Sequence, residues 1–244
     1  MNIVLNQIFS TERDADHIQW KELTRGRFEK PLNRFKGIPY FAEVNGRTPL
    51  INFHSNPFKE DEEQTPWRDL ILQDEGRVIY NGDNKDSSKR AEQAYGNKQV
   101  SKILKLYSSN KVEDRMKAPP IIVTKTVKIN GRTGYRKFVG VDIIYKSPLL
   151  VQQYEKGTDK VFSNFQFEVT LLKLTPNDCL NWNWIDDRRD NNISLKDSLR
   201  NAPDSWKQWV KHGTDSLSRI TLRINSYRIV SEKEQNQMSS RNEG

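Results

Sequence analysis

The chain has 244 residues, of which 34% are apolar and 10% aromatic. This composition fits a domain with a modest core and many polar loops, and its aromatic content argues against a disordered chain. Lysine and arginine number 40 against 32 acidic residues, and the formal charge of +8 favours a polyanionic partner. Cys179 is the single cysteine, so no internal disulfide is expected.

No stretch approaches the roughly 18 consecutive apolar residues of a membrane span. The N-terminus also lacks the basic and apolar regions of a signal peptide. These two observations predict a cytoplasmic protein with no membrane partner.

Residues 1–37 are predicted to form a basic N-terminal extension that packs on, or leads into, the following domain. Between residues 21 and 36, six lysines and arginines face two glutamates. Side chains that neutralise phosphates release the counterions of a nucleic acid, and this release favours binding. We therefore predict that five cations of the extension contact DNA: Arg25, Arg27, Lys30, Arg34 and Lys36.

From residue 38 to residue 230 the pattern predicts one β-rich domain. Short runs of Val, Ile, Phe, Tyr and Thr are separated by Gly, Pro and Asn, at a spacing typical of a barrel or a sandwich. The expected strands are IPYFAEV, PLINFH, GRVIYNG, PPIIVTKTVKI, FVGVDIIYK and FSNFQFEVTLLKL. Residues 231–244 lack an apolar pattern and are predicted to be a flexible tail or linker.

Helical patterns interrupt the strands in two places. Over residues 89–107 apolar side chains recur at helical spacing, with an early break expected at Gly96-Asn97. Near the end of the domain the sequence is typical of two short helices, with Asp204 as an N-cap and Gly213 as the stop.

Positive charge is also concentrated between residues 85 and 146, where 15 basic residues face five acidic ones, whereas residues 59–63 (KEDEE) are acidic. Asparagine and glutamine alternate with the cations, and such amides can recognise base edges in the major groove. A solvated surface is the ordinary explanation of one such cluster; two clusters on one β-rich domain favour binding. The predicted base contacts are Asn84, Lys85, Asn97 and Lys98, and the predicted phosphate contacts are Lys89 and Arg90.

Asp83 lies between an apolar strand and this basic loop, and three roles are open to it. It could hold a metal ion, accept a hydrogen bond from a cytosine amino group, or bond the loop backbone. The spacing of Asp83 and Lys85 is similar to the end of a PD-(D/E)xK nuclease site, where a carboxylate holds the metal. Such a site needs an upstream acid, and the nearest candidates, Asp69 and Asp74, do not follow a proline.

Other chemistries leave no signature in the sequence. The three histidines are scattered and have no cysteine at ligand spacing, which argues against zinc. Phosphate-loop and Ser or Cys hydrolase motifs are absent. Trp182 and Trp184, read as alternating strand positions, either cover a core edge or stack on bases. We predict no catalytic residue and no metal site.

The order of several short motifs is more specific than composition. They run from W-R-D-L-I (residues 67–71) through G-R-V-I-Y-N-G-D-N-K, Y-G-N-K, A-P-P-I-I-V, F-V-G and F-x-N-F-Q-F-E-V-T-L-L to N-A-P-x-x-W-K-x-W-x-x-x-G, which ends at Gly213. Over residues 38–213 this series resembles the DNA-binding pseudobarrel (B3-like) specificity domains of restriction endonucleases. The similarity is to the NgoAVII group and to the N-terminal domains of the modification-dependent AspBHI and MspJI group.

This resemblance implies a mainly β fold of the α+β class: an open seven-stranded pseudobarrel with two DNA-gripping loop arms and C-terminal helices. It also implies sequence-specific recognition of double-stranded DNA, with cleavage by a different domain. In the modification-dependent members a related barrel accepts a flipped modified cytosine. Tyr80 and Asp83 are candidates for the aromatic and polar contacts that flipping needs, although a plain strand end explains them equally.

The favoured function is therefore that of a non-catalytic recognition domain of a type II or modification-dependent restriction endonuclease. It needs no cofactor to bind DNA, whereas the associated nuclease would use Mg²⁺. Only 31 residues follow Gly213, so the nuclease is expected on a separate chain, or the sequence is a recognition fragment. The alternatives are a small Mg²⁺-dependent nuclease using Asp83 and Lys85, and a domain of an RNA–protein complex.

Overall fold

The computed structural model of the protein describes residues 1–10, 16–19, 38, 41–58, 68–155, 157–174 and 177–224. Within these ranges the chain forms a curled, open sheet with a few short helices, and this half-barrel confirms the predicted fold class. The described sheet has eight strands instead of the implied seven, and a second sheet has two. The strands are β1 (Asn2–Val4), β2 (Ile8–Ser10), β3 (Ile51–Ser55), β4 (Leu70–Leu72), β5 (Arg77–Asn81), β6 (Ile121–Ile129), β7 (Arg132–Ile144), β8 (Leu149–Tyr154), β9 (Val161–Leu171) and β10 (Cys179–Asn181).

The large sheet has the order β3-β6-β7-β9-β5-β4, with β2 added to β7 and β8 added to β9. β3 and β6 are parallel, and the other strand pairs are antiparallel. Asp142 of β7 is paired with Ile121 of β6 and with Leu171 of β9, and this row fixes the relative heights of the strands. From it β6 extends eight residues to its end in one direction, and β9 extends ten residues to its start in the other.

Five of the six predicted runs contain a strand: β3, β5, β6, β7 and β9. The run at residues 38–44 forms no strand in its described part, where Val44 makes only an isolated bridge to Arg47. β8 has no counterpart among the predicted strands. Its adjacent Leu149 and Leu150 are 62% and 67% exposed, so the strand lacks the one-sided apolar alternation by which strands are recognised.

The first ten residues take part in both sheets, because β1 pairs with β10 and β2 pairs with β7. Most of the predicted basic extension (residues 20–37) and the predicted tail (residues 231–244) lie outside the described residues. The domain boundaries inferred from the sequence therefore stay predictions.

The α-helices of the described chain are α1 (Tyr95–Tyr107), α2 (Val112–Lys117), α3 (Asn183–Arg189), α4 (Asp204–His212) and α5 (Leu217–Ile220). Gly213 ends α4 with φ = 60°, as predicted, whereas the N-cap is Pro203 and Asp204 is the first helical residue. None of the helices in these ranges is long and apolar enough to cross a membrane.

The core contains a cluster of tryptophans beside the sheet. Trp206 lies between Trp184 and Trp209, with ring centroids 5.0 and 4.9 Å apart. Trp182 and Trp184 are 0% exposed and lie at the start of α3 instead of on a strand. Their predicted role in the core is confirmed, and base stacking by these two rings is excluded by burial.

Two buried arginines attach α3 to the loops before β3 and β6. Arg188 is 0% exposed and donates hydrogen bonds of 2.8–3.3 Å to five backbone carbonyls, those of Thr48, Pro49, Met116, Lys117 and Ala118. Arg47 is 2% exposed and donates to the carbonyls of Asp187, Arg188, Asp190 and Ile193. Carbonyls satisfy these cations because a buried charge is costly unless it is hydrogen-bonded.

Candidate nucleic-acid interface

Asp83 anchors the loop that follows β5 to the N-terminus of α1. Its carboxylate accepts the backbone N–H of Gly96 at 2.7 Å and that of Asn97 at 2.9 Å. These are two of the N–H groups that the first turn of a helix leaves without an intrahelical partner, and a carboxylate there also complements the helix dipole. Gly96 and Asn97 therefore begin the helix instead of breaking it. The geometry gives Asp83 the backbone-bonding role.

Asn97 is the centre of a buried amide network. It is 0% exposed, and its side-chain amide donates to the carbonyl of Ala91 and to Oδ1 of Asn164, each at 2.9 Å. Its Oδ1 accepts the backbone N–H of Asp83 at 3.0 Å. Asn164, also 0% exposed, donates to Gly82 and Gln153. The network joins α1 to β5, β8 and β9.

Asn84 is 2% exposed and has a similar structural position. Its amide donates to the carbonyl of Lys89 at 3.0 Å and to that of Ser163 at 2.7 Å. The predicted base contacts by Asn84 and Asn97 do not fit this conformation, in which both amides bond groups inside the domain. The sequence pattern places amides beside cations but does not show which of them point inward.

Tyr80 also lies in the interior, at 6% exposure. Its ring stacks on Phe53, with centroids 4.2 Å apart and planes 10° apart, and its hydroxyl donates to the carbonyl of His54 at 3.4 Å. An aromatic surface for a flipped base must be open on at least one side. Tyr80 and Asp83 therefore do not form such a surface in this conformation.

The predicted cations of this loop are exposed: Lys85, Lys89, Arg90 and Lys98. Lys89 forms an ion pair of 2.8 Å with Asp86, and Arg90 one of 3.0 Å with Glu92. The Lys89 ammonium holds the pKa of the Asp86 carboxyl well below its usual range. Because both pairs are exposed, each contributes little to stability, and the cations can exchange partners. The other predicted cations, Arg25, Arg27, Lys30, Arg34 and Lys36, lie outside the described residues.

The candidate upstream acids of a nuclease site have other positions. Asp69 accepts the backbone N–H of Asn81 at 2.8 Å, and Asp74 lies in a short 3₁₀ helix, Gln73–Glu75. No group of three or more His, Cys, Asp or Glu side chains in the described ranges is arranged to hold a metal ion.

A second basic element is the hairpin of β6 and β7, whose cations are absent from the predicted contacts. Ile129 is paired with Arg132, so the turn has only two residues, Asn130 and Gly131. Both have positive φ, 49° and 76°, as a type I′ turn requires. An Asn-Gly pair between β-rich runs is a strong hairpin signal, so the sequence contained the information to find it.

The distal half of this hairpin, residues 125–137, is basic and contains no acid. No aspartate or glutamate occurs between residues 116 and 141. Lys128, Asn130, Arg132 and Thr133 are exposed, and the Lys128 ammonium lies 4.4 Å from the centre of the Phe58 ring. Its cations are Lys125, Lys128, Arg132, Arg136 and Lys137.

The hairpin tip and the Asp83 loop lie at opposite ends of the sheet. Asn81, before the loop, is paired with Gln166, five residues below the Asp142 row, whereas β6 ends eight residues above it. At about 3.3 Å per residue the two ends are at most roughly 43 Å apart along the strands. The basic region between residues 85 and 146, which is continuous in the sequence, therefore contributes to two separate surfaces.

The sequence profile of the family described as "Restriction endonuclease AspBHI N-terminal" matches residues 37–221. The chain belongs to this family. No curated protein matches the chain. The family match includes the Asp83 loop, the hairpin and helices α1–α5.

Solved structures agree with membership of the AspBHI N-terminal family. The chain is similar to the MspJI restriction endonuclease in complex with a 27-mer oligonucleotide, with 28% identity and a TM-score of 0.82 over 92% of this chain. It spans about half the length of that protein, 55%. The DNA recognition domain of LpnPI (TM-score 0.65, 88% of this chain and 89% of that one) and AspBHI (0.63, 92% and 95%) are each 18% identical and share the fold.

Proposed function

We propose that this chain recognises double-stranded DNA as the specificity domain of a modification-dependent restriction endonuclease. The observation that carries the proposal is the family match over residues 37–221. It coincides with the segment, residues 38–213, in which the sequence motifs resemble such domains. MspJI, which is similar over 92% of this chain, is a restriction endonuclease whose structure contains an oligonucleotide.

The charge distribution supports a nucleic acid as the ligand. Exposed cations of the Asp83 loop and of the hairpin tip lie at the two ends of the sheet, while apolar side chains fill the interior. Exposed cations can neutralise the phosphates of a nucleic-acid backbone. Salt-dependent binding to a duplex is the direct consequence.

A modified cytosine is the proposed determinant of specificity. LpnPI is described as a cytosine modification-dependent restriction endonuclease, and AspBHI as DNA modification-dependent. Cleavage is proposed to belong to a nuclease outside this domain, because this chain corresponds to 55% of the MspJI chain. That nuclease would use Mg²⁺, whereas recognition itself needs no cofactor.

The test is a binding competition with duplexes of one sequence that carry cytosine, 5-methylcytosine or 5-hydroxymethylcytosine. We expect the domain to prefer a modified duplex, and to prefer duplex DNA to duplex RNA. A plasmid incubated with the domain and Mg²⁺ should stay intact. Equal affinity for all DNA duplexes and for RNA would contradict the proposal, and cleavage abolished by Asp83→Ala would show that the chain is itself a nuclease.

A further inference from the structure

The hairpin of β6 and β7 contains a pair of lysines whose arrangement folding alone does not favour. Lys125 of β6 is directly opposite Lys137 of β7 in the antiparallel register. Directly opposed side chains on neighbouring strands have Cβ atoms about 5 Å apart, and like charges in this position destabilise the sheet. Neither lysine has an ion pair within the described part of the chain.

The surroundings intensify the repulsion. Both lysines are half-buried, so water screens their charges less than it would at an open surface. Partial burial and the neighbouring Lys125 ammonium lower the pKa of Lys137 below its ordinary value of 10.5. An anion placed between the two ammonium groups would offset both their mutual repulsion and the cost of partly burying their charges.

The position of the pair is accessible to a large partner. β6 pairs with β3 only as far as Lys125, and β7 pairs with β2 only at Tyr135–Lys137. Beyond Val127 and Tyr135 the two strands of the hairpin pair with each other alone within the described residues, and the last two residues of β6 extend about 7 Å. The opposed lysines therefore lie two residues before the base of a short, projecting ribbon.

We propose that Lys125 and Lys137 together bind a backbone phosphate of duplex DNA. The ribbon beyond them, with Lys128 and Arg132 exposed, follows the same strand of the duplex. This contact rests on the proposed function and adds a second DNA-binding surface at the end of the sheet opposite the Asp83 loop. It explains why the hairpin keeps two cations in register without an acid between them.

The test compares stability and DNA binding in Lys137→Gln and Lys125→Gln variants. Removing one charge of a repelling pair should leave the melting temperature of the free domain unchanged or higher. The same change should weaken duplex binding about eightfold at 0.1 M salt and lower the slope of log K against log salt by about one, as expected for one phosphate contact. These opposite effects are the signature of a cation pair held for a ligand.

Two controls complete the design. Lys102→Gln changes an exposed lysine of α1 and should alter neither property. The double variant Lys125→Arg, Lys137→Arg keeps both charges and should retain the affinity and the salt slope of the wild type.

Three results would overturn the inference. Wild-type affinity and salt slope in a folded Lys125→Gln, Lys137→Gln variant would show that the pair does not contact DNA. A fall in melting temperature on neutralisation would show that the lysines have an acidic partner in the protein, for which residues 60–63 are the natural source. Failure of the wild type to bind any duplex would instead contradict the proposed function itself, so the two failures are distinguishable.

Discussion

The carboxylate of Asp83 accepts the backbone N–H of Gly96 at 2.7 Å, across 13 residues of sequence. The residue at the N-cap of α1 is Ala94, which has no side-chain acceptor. Asp83 thus supplies from a distant loop the hydrogen bonds that an N-cap usually supplies locally.

Replacing Asp83 with alanine should destabilise the domain by about 1–2 kcal/mol, because α1 loses its acceptor and a favourable charge at its N-terminus. Asp83→Asn should cost less, since an amide oxygen can still accept one of the two bonds. Chemical denaturation measures both changes, with Asp159→Asn, at an exposed turn, as the matched control. Unchanged stability together with altered discrimination at a cytosine would show that Asp83 contacts a base.

Asn97→Ala should lower the free energy of unfolding by about 2–3 kcal/mol, because the Ala91 carbonyl and the Asp83 N–H lose this partner and Asn164 Oδ1 loses one of its donors. The folded fraction should keep the base preference of the wild type. Lys102→Ala, on an exposed position of the same helix, is the control and should change stability by less than about 0.5 kcal/mol. A stable Asn97→Ala variant with a relaxed base preference would restore Asn97 as a base contact.

The strands were the most predictable part of the fold, and the direction of individual polar side chains was the least. The runs that form β3, β5, β6 and β9 are recognisable in the sequence because burial on one or both faces favours β-branched and aromatic residues. Asn84 and Asn97 resemble surface amides in the sequence because their buried partners, such as Asn164, come from strands far along the chain. Only the pairing of β5 with β9 brings these groups together.

The register also decides which cations share a surface. Lys125 and Lys137 are 12 residues apart in sequence, and nothing in their local pattern shows that they are cross-strand neighbours. The Asn130-Gly131 turn fixes the hairpin, but the irregularity between Val127 and Ile129 shifts the register by one residue, so the pairing of Lys125 with Lys137 does not follow from the turn alone. Which cations lie side by side therefore depends on strand pairing that the sequence does not show.

Because of Asp142, the free energy of unfolding should fall as pH rises. It is 0% exposed, neither carboxyl oxygen has a hydrogen-bond partner among the described residues, and burial raises its pKa well above the ordinary 3.8. Between the unfolded and the folded pKa the native state holds the extra proton, so this group's contribution to stability decreases with pH, by up to about 1.4 kcal/mol per unit.

Asp142→Asn removes that titration. The advantage of the wild type over the variant in unfolding free energy should therefore shrink, and then reverse, as pH rises above about 4. Urea denaturation from pH 4 to pH 9 measures it. Parallel pH profiles for the two proteins would show that Asp142 does not titrate on unfolding.

Arg188→Met should destabilise the domain by about 3–5 kcal/mol, because five buried or partly buried carbonyls lose this donor. Lys207→Met, at an exposed ion pair on α4, should cost less than about 1 kcal/mol. Thermal and urea unfolding distinguish the two. Similar small effects would mean that water replaces the guanidinium.

DNA affinity should fall on the order of a thousandfold between 50 and 200 mM salt if about six phosphates are contacted. Arg25→Ala and Arg34→Ala should weaken binding to all duplexes about equally, as phosphate contacts do. Fluorescence anisotropy over a salt series provides both measurements. A flat salt response would remove the electrostatic basis of the interface.

Through the edge strand β8, salt concentration should also affect the self-association of this protein. Residues 147–154 carry no charged side chain, Leu150 and Tyr154 are 67% and 58% exposed, and within the described chain β8 pairs with β9 alone. Such an open, uncharged edge is a template for strand addition, and long-range repulsion between copies of charge +8 opposes it at low ionic strength. Raising the salt concentration screens that repulsion while it weakens the DNA complex, so the conditions that strip DNA from the domain are those that favour its self-association.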